Sequence, residues 1–130
     1  MNPLSELDQA LAEAAYESRR EADFRRMLPE SDLYVLGEEG EEVALGRREL
    51  KLIHHTFGSM TYLSAYTSLN RLQMVAFGLP YLVVQGAAVF AAVSPGVHLA
   101  LNLGGWPNRI FTDREAAELA AAWRESGSLK

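Results

Sequence analysis

The stretch that most restricts what this chain can fold into runs from Tyr62-Leu63-Ser64-Ala65-Tyr66 through Thr67-Ser68-Leu69-Asn70-Arg71-Leu72 to Leu99-Ala100-Leu101-Asn102-Leu103-Gly104-Gly105. It reads as a strand, a capped helix, a second apolar segment, a strand and a glycine turn. Met60 to Tyr66 alternates as a strand does, and Thr67-Ser68 offers a helix N-cap ahead of Leu69, Leu72, Val75 and Ala76, with Phe77-Gly78 ending that helix. Leu79 to Val84 follows as a buried strand or a strand-like approach, and Gly86 to Val93 as a short alanine-rich helix closed by Ser94-Pro95-Gly96. Val97 to Asn102 alternates again, and Ile110-Phe111 is brief and extended.

The flanks are helical. Leu4, Leu7, Leu11, Ala14, Ala15 and Ala22 recur at helical spacing, which predicts one long helix over about 4–27 stopped by Pro29. Ser5 with Asp8 forms a weak capping box, and the acids lie early in this helix while Arg19, Arg20, Arg25 and Arg26 lie late, as the helix dipole prefers. The clearest start signal is Thr112 with Glu115 three residues on, predicting a helix over 113–124 with Ala116, Leu119, Ala120 and Trp123 inward.

Between the flanks, Leu33 to Leu36 is a short strand leading into Gly37-Glu38-Glu39-Gly40-Glu41-Glu42, expected as a solvated acidic hairpin tip. Glu49 to Phe57 is expected as one strand joined to Met60–Tyr66 by Gly58-Ser59. Strands and helices mix without regular βα alternation, so the expected class is α+β: an antiparallel or mixed sheet packed on the N- and C-terminal helices, one domain over 1–130. Leu7, Leu11, Leu52 or Ile53, Leu72, Val83, Leu101, Leu119 and Trp123 are the expected core.

With 130 residues, the chain can bury roughly two-thirds of its unfolded surface. It has no cysteine, which removes disulfides and thiolate chemistry and suits a reducing compartment. The first residues lack a basic and then apolar leader, and no apolar run reaches membrane-helix length, so the cytoplasm is the expected location. The net charge is −5, with Lys51 and Lys130 the only lysines; this disfavours nucleic acid and favours a protein partner, a basic one in particular.

No phosphate loop, hydrolase elbow or metalloprotease spacing is present. The acidic segment lacks the aspartate spacing of a calcium loop. Strand alternation sends His54 and His55 to opposite faces, so they cannot chelate one metal together. No catalytic residue, metal or cofactor is therefore expected. The turn Asn102-Leu103-Gly104-Gly105-Trp106-Pro107-Asn108-Arg109 is the unusual element: asparagine and glycines allow left-handed backbone, and tryptophan and arginine dominate binding hot spots. Its Asn102, Gly104, Gly105, Trp106 and Arg109, with the acids Glu38, Glu39, Glu41 and Glu42, are the candidate partner-binding residues. In the alternative reading of the turn, Trp106 folds over the core and Arg109 pairs with an acid.

Tyr66-Thr67-Ser68 with Arg71-Leu72 resembles the Phe-Thr-Ser…Arg-Leu signature of the SseB-like N-terminal domain, a bacterial family named for enhanced serine sensitivity. Gly86 to Phe90, Leu99 to Asn102 and the closing Ile110–Leu119 segment follow in matching order, and Leu7–Leu11, Phe24 and Leu33-Tyr34-Val35 fit as well. The family's Asn-Pro-Gly-Ser turn stands here as Asn102-Leu103-Gly104-Gly105, so Asn102 and Gly104 carry over while the proline and the serine hydroxyl do not. The resemblance implies a small α+β domain without an established enzymatic activity, acting as a protein-interaction module. Two alternatives stand beside it: an immunity protein that neutralises a bacterial toxin, and a small-ligand binder or enzyme using His54, His98 and the Asn102 turn. Nothing in the pattern sets an oligomeric state.

Overall fold

The chain starts its first helix where Ser5 accepts a hydrogen bond from the Asp8 N–H at 3.0 Å, satisfying one of the four free donors of a helix start. This description is of a computed structural model and covers residues 5–44 and 47–125. Helix α1 spans Glu6–Tyr16 and α2 spans Glu21–Met27, so the single long helix expected over about 4–27 is broken. Glu17 leaves the helix with φ −130° and ψ 106°, and a 3-10 turn covers Ser18–Arg20. The reason is one of phase. In a continuous helix Phe24 would lie about 100° around the axis from Leu7. The break lets Phe24 become fully buried beside Leu7, Leu11 and Ala14, while Ala15 and Ala22 face solvent.

The strands are β1 (Asp32–Ala44), β2 (Arg47–Leu52), β3 (His54–Phe57), β4 (Met60–Tyr66), β5 (Tyr81–Gln85), β6 (Val97–Leu101) and β7 (Arg109–Phe111). The remaining helices are α3 (Leu69–Ala76), α4 (Gly86–Ala91) and α5 (Asp113–Glu125). The strands form one mixed sheet in the order β2-β1-β4-β6-β7, with β5 on β1 and β3 on β4. Strands β4 and β6 run parallel, joined through α3, β5 and α4; the other pairs are antiparallel. The class is α+β, a single domain as expected.

Two expectations about the strands are corrected. The acidic segment 38–42 is not a hairpin tip: β1 continues through it and pairs with β2, Glu38 opposite Lys51 and Glu39 opposite Leu50. Pairing partners on β2, kept through register shifts between Glu39 and Glu42 and between Glu42 and Ala44, outweigh the local turn preference of the two glycines. The expected strand 49–57 is two strands, because the chain changes partner at Ile53: β2 pairs with β1 and β3 with β4.

One sheet face carries Leu33, Val35, Leu63, Ala65, Leu99, Leu101 and Phe111, all fully buried against α1, α2, α4 and α5. Phe90 of α4 packs edge-to-face on Phe111 and on Trp123, with centroids 5.0 Å apart in both pairs. The first residue of α4 is Gly86, where a Cβ would collide with the Leu28 carbonyl. Val83, expected in the core, is 51% exposed. The strand's parity runs the other way, with Leu82 and Val84 packed on the core. On the opposite face α3 lays Leu72 and Ala76 over Tyr66, Tyr34 and Leu36.

At the other end, Thr112 and Glu115 form the reciprocal capping box: Glu115 N–H donates to the Thr112 hydroxyl at 3.1 Å and Thr112 N–H to the Glu115 carboxylate at 3.0 Å. Asp113 accepts from the Gly96 N–H at 2.8 Å, tying the β6 approach to α5. Hydrogen bonds from the Gly96 and Arg114 main chain hold its carboxyl below the usual aspartate range.

Candidate functional site

Strand β6 ends at Leu101, and the next residue, Asn102, takes the left-handed conformation (φ 58°) that asparagine tolerates better than most residues. This turns the chain sharply and drives the Asn102 side chain inward, where it is 1% exposed. Its amide nitrogen lies within hydrogen-bonding distance of Asp8 (3.1 Å), the Thr67 hydroxyl (3.2 Å) and the Pro107 carbonyl (3.0 Å). Its amide oxygen accepts from the Thr67 N–H at 3.0 Å. Thr67 in turn donates its hydroxyl to Asp8.

Asp8 is 3% exposed, an unusual place for a carboxylate. Arg71 of α3 pairs with it, Nε to Oδ2 at 3.2 Å, and donates a second bond from Nη2 to the Trp106 carbonyl at 2.9 Å. Helix α3 sets Arg71 there through its own cap, Ser68 accepting from the Arg71 N–H at 3.2 Å. One buried network thus ties α1, the β4–α3 junction and both ends of the 102–107 turn. The motif Tyr66-Thr67-Ser68…Arg71 and the turn's Asn102 belong to the same unit.

Asp8 is the member that sequence reasoning missed. Read as the third residue of a capping box, it should reach back along its own helix. Instead its backbone N–H serves the cap while its carboxylate turns inward. The available signal was polarity at a position between Leu7 and Leu11 on the apolar stripe.

The rest of the turn is braced from within. Gly105 N–H donates to the Asn102 carbonyl at 3.0 Å, and the Asn108 amide donates to the Gly105 carbonyl. A Cβ on Gly105 would come to 3.0 Å from the Arg71 guanidinium, so glycine leaves Arg71 room against the turn. Gly104 is exposed with φ 88°. The Trp106–Pro107 peptide is cis, and Pro107 is buried. Trp106 itself is 54% exposed and meets the exposed Tyr16 ring edge-on at 5.9 Å. Arg109 points away from solvent: it pairs with Glu21 at 2.6 Å and lies over the Phe24 and Phe111 rings. Partial burial alone would raise the Glu21 carboxyl, but hydrogen bonds from Arg109 and Arg25 outweigh it and hold the group below the usual glutamate range.

Above the network lies a small surface hollow between α3 and the turn. Tyr66, Arg71 and Asn102 lie deeper in it, and Met74, Val75, Leu103 and Gly104 form its outer part. Burial pushes the Tyr66 hydroxyl above the usual tyrosine range, against a hydrogen bond with Ser64 that lowers it. Met74 (79% exposed) and Val75 are open, as are Phe77 (84%) and Leu79 just beyond α3. These apolar side chains project where a globular surface ordinarily carries polar ones.

The other candidates fall elsewhere. Glu38 is exposed on β1, and the side chains of Glu39, Glu41 and Glu42 lie outside the described residues. His54 shares the sheet face of Leu63, whereas His55 and His98 flank Tyr62 on the other face. His55 Nε2 lies 3.3 Å from the Ser64 hydroxyl, and His98 Nδ1 is buried with no hydrogen-bond partner among the described residues. No group of three or more ionisable ligand side chains among the described residues is arranged to hold a metal. None of the described helices is long and apolar enough to cross a membrane.

The family model described as the SseB protein N-terminal domain matches residues 7–118. No curated protein and no solved structure matches the chain.

Proposed function

The chain belongs to the SseB N-terminal domain family, and on that footing we propose that it is a non-catalytic, cytoplasmic protein-interaction module. The docking face is the surface where α3 meets the 102–109 turn. The observation that carries this reading is the exposed apolar side chains Met74, Val75 and Leu103 around the hollow above the buried polar network, with the half-exposed Trp106 further along the same turn. Exposed apolar side chains gathered on one face mark association surfaces, and a tryptophan beside a braced turn is a typical anchor.

Within this reading the turn residues divide. Trp106 and Gly104 face the partner, while Asn102, Gly105 and Arg109 hold the turn in shape. The ionisable groups at the hollow suit binding better than turnover: the Arg71 charge is matched by Asp8, and burial holds the Tyr66 hydroxyl in its protonated form. The acidic balance of the chain favours a basic partner. A toxin with a basic cleft is one such partner, and on that version the chain acts as an immunity protein.

The test uses a partner recovered from the native host by crosslinking and then purified. Trp106→Ala is expected to weaken binding by about thirtyfold or more, while stability falls by no more than about 1.5 kcal/mol, as suits a half-exposed side chain. Unchanged affinity, or a strongly destabilised variant, would remove Trp106 from the docking face.

A further inference from the structure

Strand β5 closes one side of the sheet, and its pairing with β1 decides which of its main-chain groups are free. Gly37 N–H donates to the Pro80 carbonyl at 3.1 Å and Gly86 N–H to the Ser31 carbonyl at 2.8 Å. Main-chain groups of an antiparallel strand alternate between its two sides. Pro80, Leu82, Val84 and Gly86 therefore face β1, and Tyr81, Val83 and Gln85 face outward. The parity of β1 agrees, since Leu36 accepts from the Ile53 N–H on the side away from β5. Gln85 caps α4, so its carbonyl belongs to that helix. The N–H groups of Tyr81, Val83 and Gln85 and the carbonyls of Tyr81 and Val83 remain, with no backbone partner among the described residues.

Natural edge strands are blunted by charge, bulges, proline or a covering element. Tyr81-Leu82-Val83-Val84-Gln85 has no charge, its register with β1 is continuous, and Tyr81 and Val83 are exposed. Pro80 has the inward parity and leaves the outer edge open. Carboxylates stand at both ends: the exposed Asp32 opposite Gln85, and the exposed Glu38, which shares a trough with Tyr81.

We propose that the free edge of β5 accepts an extended segment of a partner protein as an added strand, one with alternate apolar side chains and a Lys or Arg at each end. The inference rests on the interaction-module reading and adds to the α3 face a second contact with the partner, at the sheet edge beyond β1. Charge argues against a second copy in this place. Two β5 strands paired antiparallel about Val83 would bring Glu38 of each copy toward Asp32 of the other, like charges at both ends.

The probe is a synthetic peptide, Lys-Arg-Val-Thr-Val-Thr-Val-Arg-Lys, titrated into isotope-labelled protein while amide exchange is followed. Binding is expected to slow exchange at Tyr81, Val83 and Gln85 by about tenfold or more. Val83→Pro removes an outward N–H, which an edge strand tolerates, and should weaken probe binding at least tenfold with the melting temperature retained. Should that variant fail to fold, Val83→Lys keeps the backbone and should repel the basic probe to the same extent. Equal binding by wild type and variant, or protection appearing at β7 instead, would overturn the inference. So would a chain that sediments as a dimer, dissociates on Val83→Lys and ignores the probe, since a second copy would then hold the edge. A probe that fails while Met74→Asp still abolishes binding of the native partner defeats the edge alone. A probe that binds a chain with no native partner defeats the module reading alone.

Discussion

Asn102 is a buried, hydrogen-bonded member of the fold as well as a residue of the candidate turn. The turn composition makes Asn102 conspicuous, but its side chain is buried and spends its hydrogen bonds on Asp8, Thr67 and Pro107. Asn102→Ala should destabilise the chain by about 1–3 kcal/mol for each buried partner left unpaired; urea unfolding measures this. Asp8→Ala should cost as much or more, because Arg71 then keeps a partly buried charge without its counter-ion. Glu21 adds a pH dependence. Its carboxyl titrates below the ordinary glutamate range in the folded chain, so the folded state holds fewer protons there. The stabilisation is fully present above that ordinary range and is lost as pH falls through the lowered value. Glu21→Gln should accordingly flatten the acid limb of a stability profile, and an unchanged acid limb would remove the Arg109 pair from the account. A single sequence shows none of these pairings, because Asp8 and Asn102 lie far apart along it and only the fold brings them together.

At the scale of elements, legibility followed the strength of local signals. Thr112 with Glu115, Ser68 before α3, and the Gly58-Ser59 turn between Phe57 and Met60 all stand where their side chains imply. Each uses contacts within a few residues. Thr112→Ala should cost about 1 kcal/mol through loss of that cap, read as a lower denaturant midpoint. Elements that depend on distant partners were read less well. The 38–42 segment looks like a loop until β2 is there to pair with it. The first helix looks continuous until Phe24 must reach the same core as Leu7. On β5, alternation alone could not say whether Val83 or its neighbours face inward, because both sets are apolar. The register with β1 decides it.

For the whole molecule, one sheet face carries the continuous core, and α3 packs on the other over Tyr66, Tyr34 and Leu36 while leaving its own Met74 and Val75 exposed. Leu101 lies fully buried in the first, and Leu101→Ala should cost about 2–5 kcal/mol; an unmoved denaturant midpoint would contradict the core described. The acidic character of the chain bears on encounter rather than on grip. Changing Glu38, Glu39, Glu41 and Glu42 together to glutamine should slow association with a basic partner and flatten its salt dependence, leaving dissociation nearly unchanged. Stopped-flow rates at two ionic strengths read both effects. The central claim is that the open apolar surface of α3 is what the fold is built to present. Its most direct test is the affinity of Met74→Asp/Val75→Asp for the purified native partner, with the melting temperature taken on the same sample. Both side chains are exposed, so the account predicts melting within about 2 °C of the wild type and affinity reduced by about tenfold or more. A variant that keeps its fold and binds as tightly as the wild type would contradict it.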